Sequence, residues 1–114
     1  MRATLPAHLY GSPEAWTRER AAVFGRAWLF LGHEAEAPAT GDWIATDVAG
    51  HRLLAVRGKD GALRAFHNVC RHRAGPLVTG ASGHCEGELV CAYHGWRYAL
   101  DGRLRAATGF GAAE

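Results

Sequence analysis

Apolar positions along this chain recur first at helical spacing and then, from residue 27 onward, at the spacing of strands. Ser12 is placed as an N-cap, with Pro13 at the first helical position and Glu14 in the first turn. Trp16, Arg20, Val23, Phe24 and Ala27 then recur at helical spacing and make one face largely apolar, which predicts a packing helix. Beyond it, "AWLFLGH" is a short, aromatic-rich run that reads as a first strand. "DWIATDV" and "HRLLAVR" read as two more, and "GKDG" (58–61) is a hairpin turn leading into "ALRAF". "GELVCAY" and "WRYAL" follow, the latter turning at Asp101-Gly102 into "DGRL". Short strands joined by glycine-bearing turns predict a mainly β fold, a small antiparallel sandwich or barrel preceded by a helix. Residues 1–33 would hold the helix and first strand, and 34–114 the β domain, with the closing "ATGFGAAE" free to fray.

Composition adds limits. The 114 residues are 48% hydrophobic and 21% charged, enough for a core and unlike a disordered chain. A core this small gains from a bound metal centre. Thirteen basic residues meet eleven acidic ones without forming a stripe, so nucleic acid is not an expected partner. No apolar leader and no membrane-length run is visible, and the expected location is the cytoplasm. Three cysteines are an odd count, which suits metal ligation in a reducing compartment better than disulfides.

The chemistry sits in two phrases. "CRHR" supplies Cys70 and His72, and "CAYHGW", after a gap of eighteen residues, supplies Cys91 and His94. Each follows or joins predicted strands, so both belong on loops at one end of the sheet, with Gly75 and Gly95 letting the backbone come close to what is bound. His8, His33, His51, His67 and His84 have no ligand-spaced cysteine of their own and read as ordinary surface or packing residues. Two thiolates and two imidazoles fit either a closed tetrahedral zinc site or a Rieske [2Fe–2S] cluster. Zinc modules usually pair like with like. Here each arm carries one Cys and one His, as C-x-H and C-x-x-H, which favours the two-iron centre.

These phrases, with "WLFLGHEAEAP", "GDW", "RAFHNVCRHR" and "CAYHGWRYALDGRL" in that order, resemble the N-terminal part of the large (alpha) subunit of the Rieske non-heme iron oxygenases, the aromatic ring-hydroxylating type. The similarity runs over residues 16–104. It implies that Cys70 and Cys91 ligate the outer-lying iron through sulfur, and that His72 and His94 bind the other through ring nitrogen. Trp96 would pack beside the second loop. The partners implied are a reductase or ferredoxin donor, a catalytic domain or subunit carrying mononuclear iron, and further copies in a homo-oligomer when full length. Nothing in these 114 residues supplies that mononuclear site, so the chain alone is expected to deliver electrons without hydroxylating anything. The alternative is a free-standing Rieske ferredoxin, against which the N-terminal helix and "WLFLGHE" argue.

Two departures from the family pattern stand out. The gap of eighteen residues is long, which implies an excursion around "VTGASGHCEG", and Cys85 within it reads as a bystander. "RAG" replaces the more usual "RGA", which implies that the tight turn after His72 is shifted by one residue. Respiratory Rieske proteins brace the loops with a disulfide, where this chain has Gly75 and Tyr93. With no brace and few hydroxyl donors near the sulfurs, a potential toward the low end of the Rieske range is expected.

Overall fold

The structure, a computed structural model, describes residues 4–109 and divides into two compact units, Met1–Phe30 and Leu31–Glu114. The last five residues of the stretch expected to fray, 110–114, lie outside the described residues.

In the first unit, helix α1 (Pro13–Glu19) starts where its cap dictates. Ser12 Oγ accepts from the Ala15 N–H at 3.0 Å, and Pro13 stands where no donor is needed. The helix then widens into a π turn over Arg20–Phe24 and stops at Gly25. The rings of Trp16 and Phe24 meet at 5.6 Å across the widened turn. The expected helical face is thus real but shorter in α-geometry than the apolar spacing implied. The run over 27–33 is not a strand. Its composition suits a ladder, yet the backbone there joins neither sheet, and a strand exists only through its partner.

The second unit is a two-sheet sandwich. Strands β1 (Asp42–Val48), β2 (His51–Arg57), β3 (Leu63–His67) and β4 (Ser82–His84) form one antiparallel sheet in the order β3-β2-β1-β4. Strands β5 (Glu88–Val90), β6 (Arg97–Ala99) and β7 (Leu104–Ala106) form the other, in the order β5-β6-β7. Alternation decides which side chains face inward. Trp43 opposes Val56 and Leu54 opposes Phe66, and these meet Leu89 and Tyr98 of the second sheet and Leu100 just past β6, with Cys70 and Cys91 in the same cluster. Ile44 and Ala55 point the other way, onto Ala37.

The β2–β3 turn closes as predicted. Asp60 accepts from the Ala62 N–H and pairs with Arg64 at 2.6 Å. His33, expected to be an ordinary residue, caps a short 3-10 turn at Glu34–Glu36 in reciprocal exchange with Glu36. The long gap between the two ligand phrases is spent on β4, which adds an edge to the first sheet beside β1. Gly83 makes this possible, because a Cβ there would lie 2.4 Å from Trp43 Cζ2. Cys85, next in the chain, is half-buried and its thiol donates to the Gly41 carbonyl at 3.3 Å. Burial holds that thiol above the usual cysteine range.

Candidate metal centre

Loop 1 leaves β3 and loop 2 joins β5 to β6, and the two meet where His72 of the first touches His94 and Trp96 of the second. Their backbones repeat one design. In loop 1 the Cys70 N–H donates to the Gly75 carbonyl at 2.7 Å, and the Ala74 N–H donates to the Cys70 carbonyl at 2.9 Å. In loop 2 the Cys91 N–H donates to the Trp96 carbonyl and the Gly95 N–H to the Cys91 carbonyl, both at 2.9 Å. The fourth residue after each cysteine takes the left-handed conformation, with φ of 56° at Ala74 and 73° at Gly95. The turn after His72 is therefore not shifted by the inverted "AG". Alanine itself adopts the strained geometry, and Gly75 has no positive φ; a Cβ there would meet Tyr93 and Cys91 Sγ only at ordinary contact distance.

That comparison predicts unequal responses. Gly95→Ala should cost about 1–2 kcal/mol in a denaturant melt, since a methyl is added at positive φ. Ala74→Gly should change stability by less than about 1 kcal/mol, because relieved strain and added freedom of the unfolded chain oppose each other. A neutral Gly95→Ala would show that loop 2 does not require the left-handed turn.

The four candidate ligands fall into two pairs. Cys70 and Cys91 are each 2% exposed and belong to one buried cluster. The rings of His72 and His94 meet edge to face at 4.6 Å and are only half-buried. The thiols are thus the inner pair and the imidazoles the outer one, which reverses the outer-lying placement expected for the sulfur side. A closed zinc site would take these donor types around one point, whereas cysteines set together inside and rings together outside match the two irons of a Rieske centre, one pair to each.

The electrostatics suit thiolates inside and neutral rings outside. Burial raises the Cys70 thiol, but donors at its sulfur outweigh it and leave the net shift downward. These are the Tyr98 hydroxyl at 3.2 Å and the backbone N–H groups of His72 and Arg73, with Cys91 adding to them. Tyr98 O accepts from the Arg71 N–H at 3.0 Å, which leaves its own proton directed at Cys70 Sγ. Burial, then the bond to Cys70, pushes the Tyr98 hydroxyl up to about 12, so it keeps that proton at neutral pH. Partial burial, with the positive fields of His94 and Arg73, lowers the His72 pKa, and a neutral ring is what metal binding requires.

Two aromatic contacts complete the site. Trp96 does not merely sit beside its own loop, since its ring stacks on His72 of the other loop at 4.9 Å and 6°. Tyr93, 60% exposed, lies against His94 at 3.8 Å. Tyr98 is the residue that sequence reasoning missed. Its inward position follows from β6 alternation, but its target lies 28 residues away.

Comparison with known proteins bears on the same residues. Residues 27–112 match the Rieske [2Fe–2S] domain family. The chain is 43% identical over 101 residues to the glycine betaine monooxygenase oxygenase subunit of Chromohalobacter salexigens, covering 89% of this chain and 22% of that one. It is 39% identical over 98 residues to the large oxygenase component of the naphthalene 1,2-dioxygenase system of Pseudomonas aeruginosa, covering 86% of this chain and 22% of that one. The crystal structure of the quaternary ammonium Rieske monooxygenase CntA with gamma-butyrobetaine superposes with a TM-score of 0.86 at 37% identity, over 92% of this chain and 30% of that one. The chain therefore spans less than a third of each of these relatives.

Proposed function

The chain belongs to the Rieske [2Fe–2S] domain family, in the branch found in Rieske oxygenase large subunits, and on that premise we propose that Cys70, His72, Cys91 and His94 hold its cluster. When bound, that cluster accepts and passes on one electron at a time. The observation that carries the assignment is the burial of both cysteines in one cluster, with the two outer rings meeting beyond them. The residues around it do the rest. Leu54, Leu89 and Val56 keep the sulfur side dry, Tyr98 and backbone N–H groups offset the charge on Cys70, and the half-buried rings face outward for electron exchange.

In the wider protein the electron would come from a reductase or ferredoxin and pass to a mononuclear iron in a catalytic domain or neighbouring copy. The proposed setting is the cytoplasm; among the described residues no helix is long and apolar enough to cross a membrane. The two enzymes named above take their names from glycine betaine and from naphthalene, yet this chain is similar to both at nearly the same level. The shared part therefore serves electron delivery, and substrate choice belongs elsewhere. Both relatives are oxygenase components rather than free carriers, which supports the oxygenase reading over the ferredoxin one.

The test is chemical. Anaerobically purified chain should contain iron and acid-labile sulfide in equal amounts and give a paramagnetic signal after dithionite. Zinc without sulfide would overturn the assignment. A second expectation concerns Tyr98, whose hydrogen bond strengthens as the sulfur gains charge on reduction. Tyr98→Phe should lower the potential by roughly 50 mV, the one-electron equivalent of about 1 kcal/mol, with iron content unchanged. An unmoved potential in a protein film or dye titration would show that the hydroxyl does not act on the centre.

A further inference from the structure

We propose that Asn68 is a positioning residue that clamps residues 75–78 over the paired thiols and so sets how much water reaches them. The inference rests on the cluster reading above. Asn68 is the buried polar side chain of the described residues, at 7% exposure, and its amide is spent on a single dipeptide. Its Nδ2 donates to the Val78 carbonyl at 2.9 Å, while its Oδ1 accepts from the N–H groups of Leu77 at 2.8 Å and Val78 at 3.0 Å. Its own backbone N–H donates to the Arg52 carbonyl at 2.9 Å, which ties the amide to β2 and hence to the rigid sheet. An amide so used is neither a turn former nor a surface contact.

The dipeptide it grips is placed to matter. Leu77 and Val78 pack against the cluster of buried side chains that contains Cys70 and Cys91. Two residues upstream, the Gly75 carbonyl accepts from the Cys70 N–H, so the segment is pinned at both ends. Pro76, between the pins, has no N–H to add a third. The Asn68 amide is therefore what keeps Leu77 down on the buried cluster that holds both cysteines. Releasing it would admit water beside a group that gains negative charge on reduction, and water favours the more charged state. The potential should rise.

The test uses the iron-loaded chain with Asn68→Ala, Leu77→Ala and the double variant, reading midpoint potential and hydrogen exchange by mass spectrometry. Asn68→Ala should speed exchange across residues 75–80 by roughly tenfold or more while the β1–β2 hairpin stays protected. Both single variants should raise the potential, and the double variant should raise it by less than the sum, as expected for two residues acting through one segment. An unchanged potential with the segment released, or strictly additive shifts, would overturn the inference. If Asn68→Ala takes up no iron, Asn68→Ser, which keeps one hydroxyl acceptor, supplies the graded case. Loss of iron from both would overturn tuning in favour of assembly. A wild-type chain lacking iron and sulfide would count against the ligand assignment, and the exchange of residues 75–80 would still judge the clamp.

Discussion

Cys70→Ala should abolish uptake of iron and sulfide and lower the melting temperature by roughly 15 °C. Burial sets the size of the effect. Cys70 and Cys91 sit in the same buried cluster as Leu54, Val56 and Leu89, so any centre they hold cross-links both sheets at their shared end. Such a centre binds only the folded state, and its binding free energy adds to stability. With a core of this size, losing about 3 kcal/mol or more shifts the midpoint by the stated amount. Alanine also leaves the Tyr98 hydroxyl and two backbone N–H groups directed at a vacated position, each a further cost. Colour, sulfide content and a thermal melt check the expectation together. A Cys70→Ala protein that keeps colour and its melting point would remove Cys70 from the ligand set. Cys85→Ala is the internal control and should keep iron, since that thiol faces the Gly41 carbonyl.

The same contrast between cysteines explains what could be read from the chain. Strands β1 and β2 were legible over their whole length because "DWIATDV" and "HRLLAVR" are β-favouring, apolar-rich runs, and each has a partner strand on both sides that buries adjacent residues together. The two ligand phrases were legible because spacing alone puts each pair on one loop. Strand β4 was not, since Ser82, Gly83 and His84 are all exposed and carry no alternation. Its pairing depends on the Trp43 ring lying over Gly83, a contact between positions forty residues apart. The aromatic run over 27–33 misled for the opposite reason, having strand composition without a neighbouring strand. The Ala74 turn shows a third limit. Sequence assigned the left-handed position to the nearest glycine, yet the hydrogen bonds around Cys70 fixed its place and alanine accepted the strain.

His94→Cys should retain iron and lower the potential by roughly 200 mV, moving the centre toward the range of all-cysteine clusters. The cause is charge. Two thiolates and two neutral imidazoles leave an oxidised [2Fe–2S] core uncharged, so reduction adds an electron to a neutral object. A third thiolate makes that object an anion before the electron arrives, and the repulsion is large where water is scarce. The surroundings favour this direction. Leu89 and the rest of the dry core lie on the sulfur side, and partial burial already disfavours charge at His72, whose ring sits 4.6 Å from His94. His67→Cys, at the end of β3 outside both loops, should leave the potential unchanged. Potentiometry of the two variants separates the cases. Retained iron with a potential within about 50 mV of the parent would mean that His94 faces the centre without binding it.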